Sequence, residues 1–176
     1  MSSALYIGRF QPFHKGHLLA VKWILGREER LIIGVGSSQY SHSLRNPFTL
    51  GERVYMIWQT LIEEGVYEKC VIVPIPDTDS KHAFWVRVVK YCSPPFSKVY
   101  SNDPLTTLLF EEENIPVDPI PFFNREKYEG TYIRKLIAEG NPLWEDLVPS
   151  AVRRIIKEIG GDKRIKKLYS LQKIIK

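Results

Sequence analysis

Short apolar runs without polar alternation recur along the chain, each followed by a stretch in which apolar residues return at helical spacing. Leu5-Tyr6-Ile7 before Gly8, and Leu31-Ile32-Ile33-Gly34-Val35 before Gly36, have the pattern of strands buried on both faces. Between them Leu18, Leu19, Val21, Ile24 and Leu25 share one side of a helix that ends near Gly26. A β-α-β unit follows. The second helix opens at Thr49-Leu50-Gly51-Glu52, a capping box in which residues 49 and 52 satisfy each other's free backbone N–H groups. Val54, Ile57, Trp58, Leu61 and Ile62 then repeat at helical spacing. The pattern further predicts a strand over 71–73, a helix over 84–91, a short strand over 98–100, a helix over 105–113 and a fifth strand over 117–120.

This alternation predicts an α/β fold: a doubly wound parallel sheet with helices on both faces and ligands at the carboxyl ends of its strands. From Thr131 onward the pattern is helical only. Helices are expected over 131–139 up to Gly140, over 150–159 up to Gly160-Gly161, and from 164 to the end. These form a helical C-terminal part, about 131–176, of one domain spanning 1–176. The longest polar stretch, Ser37 to Asn46, is short enough to be a functional loop.

Composition narrows the class. With 176 residues, 44% of them hydrophobic and 12% aromatic, the chain has the apolar surface for one globular core and is not disordered. No apolar run approaches the roughly 20 residues that cross a bilayer, and Met1-Ser2-Ser3-Ala4 leads into a strand without a basic signal region, so the expectation is a cytoplasmic protein without membrane partners. Cys70 and Cys92 lie in or beside apolar segments without metal-ligand spacing and read as buried thiols. The net charge of +5 owes much to basic residues after Val148. No nucleic-acid-reading motif accompanies it, so nucleic acid is not an expected partner.

The candidate chemistry begins where the first strand meets the first helix, in Gly8-Arg9-Phe10-Gln11-Pro12-Phe13-His14-Lys15-Gly16-His17. A helix start offers unpaired N–H groups and a partial positive charge. Gly16 removes a side chain that would block close approach, and His14 and His17, three apart, can face one anion. Two histidines with no third ligand nearby make a poor zinc site.

This segment resembles the H-x-G-H signature of the nucleotidyltransferase superfamily, whose fold is Rossmann-like. Together with Ser41-His42-Ser43-Leu44-Arg45-Asn46-Pro47-Phe48-Thr49-Leu50-Gly51-Glu52-Arg53, residues 124–134 and Leu147-Val148-Pro149, it is similar to the archaeal-type nicotinamide-mononucleotide adenylyltransferases over nearly the whole chain. The resemblance implies that ATP and nicotinamide mononucleotide give NAD and pyrophosphate, by direct attack of the mononucleotide phosphate on the α-phosphorus. It implies catalytic His14, His17 and Arg134. ATP and its phosphates would meet Gly8, Arg9, Phe10, Gly16, Arg45, Asn124, Tyr128, Gly130 and Thr131, and the mononucleotide Trp85, His82 and Asn102. Mg2+ is expected with the triphosphate, and the family suggests a hexameric homo-oligomer. The chain departs from the family's pattern at Glu129, His82 and Asp103. Rival acceptors are phosphopantetheine, flavin mononucleotide or glycerol phosphate, and a rival class is a binding module that has lost catalysis.

Overall fold

A computed structural model describes residues 3–124 and 126–174. Five strands, β1 (Ser3–Gly8), β2 (Arg30–Val35), β3 (Cys70–Pro74), β4 (Lys98–Tyr100) and β5 (Val117–Asp118), form one sheet in the order β3-β2-β1-β4-β5, and every neighbouring pair is parallel. The helices between them are α1 (Lys15–Leu25), α2 (Leu50–Glu63), α3 (Trp85–Cys92) and α4 (Pro104–Glu112). The fold is the doubly wound α/β arrangement expected.

The unalternated strands are buried on both faces, as their pattern requires. Ala4 and Tyr6 of β1 join Leu31, Ile33 and Val35 of β2 in the larger core, with residues of α1 and α2. The intervening Leu5 and Ile32 enter the smaller core with Val86 and Val89 of α3 and Phe110 of α4. Each such Val, Leu, Ile or Phe side chain contributes roughly 1.5–3 kcal/mol by leaving water, and slipping a strand by one residue would exchange the two sets. After β3 the chain crosses to the other side of β1. β1 and β4, which lead in opposite directions across the sheet, are therefore neighbours, and a crevice opens at their carboxyl ends.

The C-terminal helices α5 (Gly130–Glu139), α6 (Trp144–Leu147), α7 (Ser150–Glu158) and α8 (Gly161–Ile174) bury their apolar faces in the larger core. Ala151, Val152, Ile155 and Ile156 form the inner face of α7, which packs on α2, while α8 packs on α5. Two expectations shift. The fifth strand is only Val117–Asp118, because just two of its residues pair with β4. The last helix starts at Gly161, ahead of Arg164, because Gly160 takes a φ of 65 and ends the preceding helix by itself. At Gly161 a Cβ would stand 2.7 Å from the Phe48 ring, so that glycine serves close packing.

Candidate functional site

β1 ends in Gly8, and the chain then folds under itself before entering α1. A Cβ at Gly8 would lie 2.7 Å from the Phe10 ring. Phe10, only 1% exposed, packs edge-on to His17 with 4.8 Å between ring centres. Phe10 was expected among the phosphate-binding residues, but its ring is a floor beneath His17 and lines neither cleft described below. Gly16 is similarly constrained, since a Cβ there would be 2.8 Å from Cβ of Tyr128. The glycine lets the first loop touch the segment before α5.

His14 caps α1, and its relation to His17 determines what both rings can do. The His17 backbone N–H donates to Nδ1 of His14 at 3.3 Å, and the His14 backbone N–H donates to Nδ1 of His17 at 3.2 Å. The rings are nearly parallel, 3.5 Å between centres. An Nδ1 that accepts cannot carry a proton, so each neutral ring holds its hydrogen on Nε2 and offers it as a donor. Burial pushes the His14 pKa down to about 3, and burial together with the His14 ring holds His17 well below its ordinary value.

This has a thermodynamic consequence with a defined sign. In the unfolded chain both histidines take up protons below their ordinary value of 6.5, whereas the folded protein resists uptake. The unfolded state therefore binds more protons on acidification, and stability falls as pH drops below about 6.5, by up to roughly 1.4 kcal/mol per pH unit for each ring. Melting temperatures between pH 6.5 and 5 check this. His14→Asn, which keeps an acceptor for the His17 N–H but does not titrate, should flatten that limb; an unchanged slope would count against the assignment.

The cations converge from distant stretches. Arg134, on the first turns of α5 and 6% exposed, donates from one terminal nitrogen to the Gln11 carbonyl at 2.8 Å and from the other to the Thr131 hydroxyl at 3.2 Å. Its buried Nε, like one terminal nitrogen of Arg9, has no hydrogen-bond partner among the described residues. Burial lowers the pKa of both guanidiniums; Arg45 adds to the effect on Arg9, and Arg9 and Arg45 add to that on Arg134. Three arginines thus repel one another while buried donors stand unused, an arrangement that a bound polyanion would relieve. At Gly130 a Cβ would be 3.1 Å from Arg134 and 3.4 Å from the Gln11 carbonyl oxygen. α5 begins without a side-chain cap, since Glu129 makes no such bond, so the first N–H groups of that helix remain open.

Two clefts meet at Ile7 and Asp103, and the histidines line the first of them. The first, about 350 Å³, is lined by His14, Gly16, His17, Tyr128, Glu129 and Gly130, together with Phe122 and Phe123. The second, about 610 Å³, is lined by Gly8, Arg9, Arg45, His82 and Trp85, with Asp77 and Asp79. Both volumes suit small-molecule ligands. Trp85 packs edge-on to Phe110 and lines the second cleft, and the exposed His82 stands in a short 3-10 turn, His82–Phe84, just before it.

Other expected residues are placed differently. Asn102 lines the first cleft, apart from Trp85 and His82, and its side-chain amide bridges both backbone groups of Ile120 at 2.7 and 2.9 Å. Asn124 lies outside both linings; with a φ of 45 it turns the chain, and its carbonyl accepts from Lys127 and Tyr128. Asp103, one of the departures, caps α4 by accepting from the Thr106 N–H at 2.8 Å.

Two residues not singled out from the sequence organise the site. Arg53, fully buried on the first turn of α2, donates to the carbonyls of Arg9, Gly36 and Ser37 at 2.9, 2.7 and 3.1 Å and through Nε to Thr49 at 3.3 Å. It ties together the chain just beyond β1 and β2. Asp77 accepts from the Ser37 hydroxyl at 2.8 Å and sets a negative charge facing Arg9 and Arg53. Arg53 lies inside the stretch that carried the resemblance but reads locally as an ordinary helical cation; a Pro-Asp-Thr-Asp turn after a strand was the available signal for Asp77.

Such a crevice, with paired imidazoles and clustered arginines at the carboxyl edge of a parallel sheet, fits the class of nucleotidyltransferases, and the cytidylyltransferase-like family model matches residues 5–136. More particularly, the nicotinamide-nucleotide adenylyltransferase of Ignicoccus hospitalis is 51% identical over 166 residues, covering 94% of this chain and 96% of that protein. The protein of the same name from Saccharolobus solfataricus is 46% identical over 174 residues, covering 98% and 100%. The chain belongs to the nicotinamide-nucleotide adenylyltransferase family. Among solved structures, a bifunctional NMN adenylyltransferase/ADP ribose pyrophosphatase of Francisella tularensis, complexed with AMP and a manganese ion, aligns with a TM-score of 0.76 at 21% identity. That alignment covers 99% of this chain but 53% of the other, so this chain spans about half the solved protein, and the likeness concerns the fold.

Proposed function

We propose that this chain transfers the adenylyl group of ATP to nicotinamide mononucleotide, producing NAD and pyrophosphate. The observation that carries the reading is the convergence of Arg9, Arg45 and Arg134, with buried unpartnered nitrogens on Arg9 and Arg134, beside two adjoining clefts, the first of them lined by the stacked histidines. An oxygen of the mononucleotide phosphate forms a bond to the α-phosphorus as the bridge to the β-phosphate breaks, and the electron pair leaves with pyrophosphate. No covalent enzyme intermediate is required. The attacking oxygen is already anionic, so neutral imidazoles suffice as donors to the α-phosphoryl oxygens. ATP would occupy the first cleft with its phosphates toward Gly130, Thr131 and Arg134. The mononucleotide would lie in the second, its ring against Trp85 and beside His82, while Arg9 and Arg45 reach the phosphates.

Among the described residues no group of three or more His, Cys, Asp or Glu could hold a metal ion. The residues expected at the phosphates, Arg9, Arg45, Arg134 and the first N–H groups of α5, are hydrogen-bond donors and not metal ligands, which suits a Mg2+ ion that would be carried by the triphosphate and would supply charge neutralisation there. Residues 1–176 would act as one unit within a homo-oligomer, a hexamer by resemblance, for which exposed Tyr55, Trp58 and Ile62 of α2 offer an apolar face. No helix among the described residues is long and apolar enough to cross a membrane.

The test is pyrophosphate release from ATP that depends strictly on added nicotinamide mononucleotide. Turnover with flavin mononucleotide instead, or salt-sensitive nucleic-acid binding without turnover, would overturn the proposal. Trp85→Ala should raise KM for the mononucleotide about tenfold through loss of the ring face, with KM for ATP little changed. An equal rise for both substrates would remove Trp85 from the mononucleotide site.

A further inference from the structure

We propose that Gln11 is a positioning residue that sets the spacing between the Arg45 loop and Arg134, and so builds the triphosphate site from three separate stretches of chain. This rests on the adenylyl-transfer reading but is measurable without turnover. Gln11 is 3% exposed. Its side-chain amide makes a two-point bridge to the backbone of one residue: Nε2 donates to the Phe48 carbonyl at 3.0 Å, and Oε1 accepts from the Phe48 N–H at 2.9 Å. Two bonds to one residue fix both the separation and the rotation of the joined segments, and out of water they are not exchanged for solvent bonds. Phe48 follows Arg45 by three residues, and Asn46 and Pro47 between them are buried, so the bridge locates the base of the loop that carries Arg45.

The backbone of the same residue faces the other way. The Gln11 carbonyl accepts from Arg134 at 2.8 Å across 123 positions of sequence, while Gly130 leaves room for that approach. Gln11 also lies three residues before His14. One residue is therefore bonded to the Arg45 loop through its side chain and to Arg134 through its carbonyl, inside the loop that presents the histidines. Arg164 of α8 holds the same turn from outside, donating to the Pro47 carbonyl at 3.1 Å and pairing with both Glu52 oxygens at 2.7 Å. Losing Gln11 accordingly loosens the loop without releasing it, and the effect falls on ATP binding more than on folding.

The experiment is a double-mutant cycle on ATP binding, read by equilibrium titration of the full chain. Gln11→Met keeps a similar volume and removes both side-chain bonds. It should weaken ATP binding about tenfold, and Arg45→Ala, which costs about tenfold in the native background, should cost under about threefold once the loop is no longer located. Unchanged ATP affinity in Gln11→Met, or the same factor for Arg45→Ala in both backgrounds, overturns the proposal, because a merely structural glutamine would act additively. Should Gln11→Met fail to fold, Gln11→Glu retains the acceptor for Phe48; its carboxylate repels phosphate, so only the coupling to Arg45 is read. A native protein that binds ATP with this coupling, yet forms no NAD, would sink the transfer reading and leave the positioning role standing.

Discussion

Replacing His17 by alanine is expected to lower kcat by about 10²–10³-fold, the usual loss when one fixed donor to a developing oxyanion is removed. The reason lies in how the imidazole is held. Its Nδ1 accepts from the His14 N–H, its ring is sandwiched against His14 and braced by Phe10, and its hydrogen is thereby committed to Nε2. Such a donor needs no reorganisation when charge grows on the α-phosphoryl oxygens. Because alanine also removes a helix-cap acceptor, the companion variant is His17→Asn, whose side-chain oxygen can still accept from His14 but offers no Nε2. Both variants should lose turnover to a similar degree, with His17→Asn melting nearer the native temperature than His17→Ala. Recovery of native kcat in His17→Asn would show that the ring serves the cap alone.

Arg53→Met is expected to destabilise the fold by about 3–5 kcal/mol, since it strips partners from buried carbonyls at the ends of two strands. For a chain of this size that lowers the melting temperature by roughly 10 °C. Arg53→Lys should recover little, because one ammonium cannot span the carbonyls of Arg9, Gly36 and Ser37 with the geometry of a planar fork. A loss below about 1 kcal/mol in denaturant titration would show that these carbonyls find other partners. The folded remainder should also bind ATP more weakly, as Arg53 holds the backbone of Arg9.

The elements of the sheet and its flanking helices were legible because burial imposes a period. Strands covered on both faces read as unbroken apolar runs, and amphipathic helices repeat their apolar residues at three and four. The capping box at residues 49 and 52 is present as expected, with Glu52 accepting from the Thr49 N–H at 2.9 Å. α6 was missed because four residues between Pro142 and Pro149 cover one turn, too short for a period to show. Asp103 stood out in the sequence only as a departure from the family's pattern; the structure makes it the cap of α4. Its place between both clefts depends on β4 lying beside β1, which no local pattern records.

The order of strands and helices along the chain and the histidine pair at the start of α1 are properties of neighbouring residues, and the chain alone determined them. The partnerships of Gln11 with Phe48 and Arg134, of Arg53 with three carbonyls, and the mutual repulsion of Arg9, Arg45 and Arg134 were decided only by the tertiary structure. The physical reason is directional: a hydrogen bond needs an atom within about 3 Å at a suitable angle. The crossover that returns β4 to the side of β1, and the packing of α5 against the first loop, bring together atoms up to 123 residues apart in sequence.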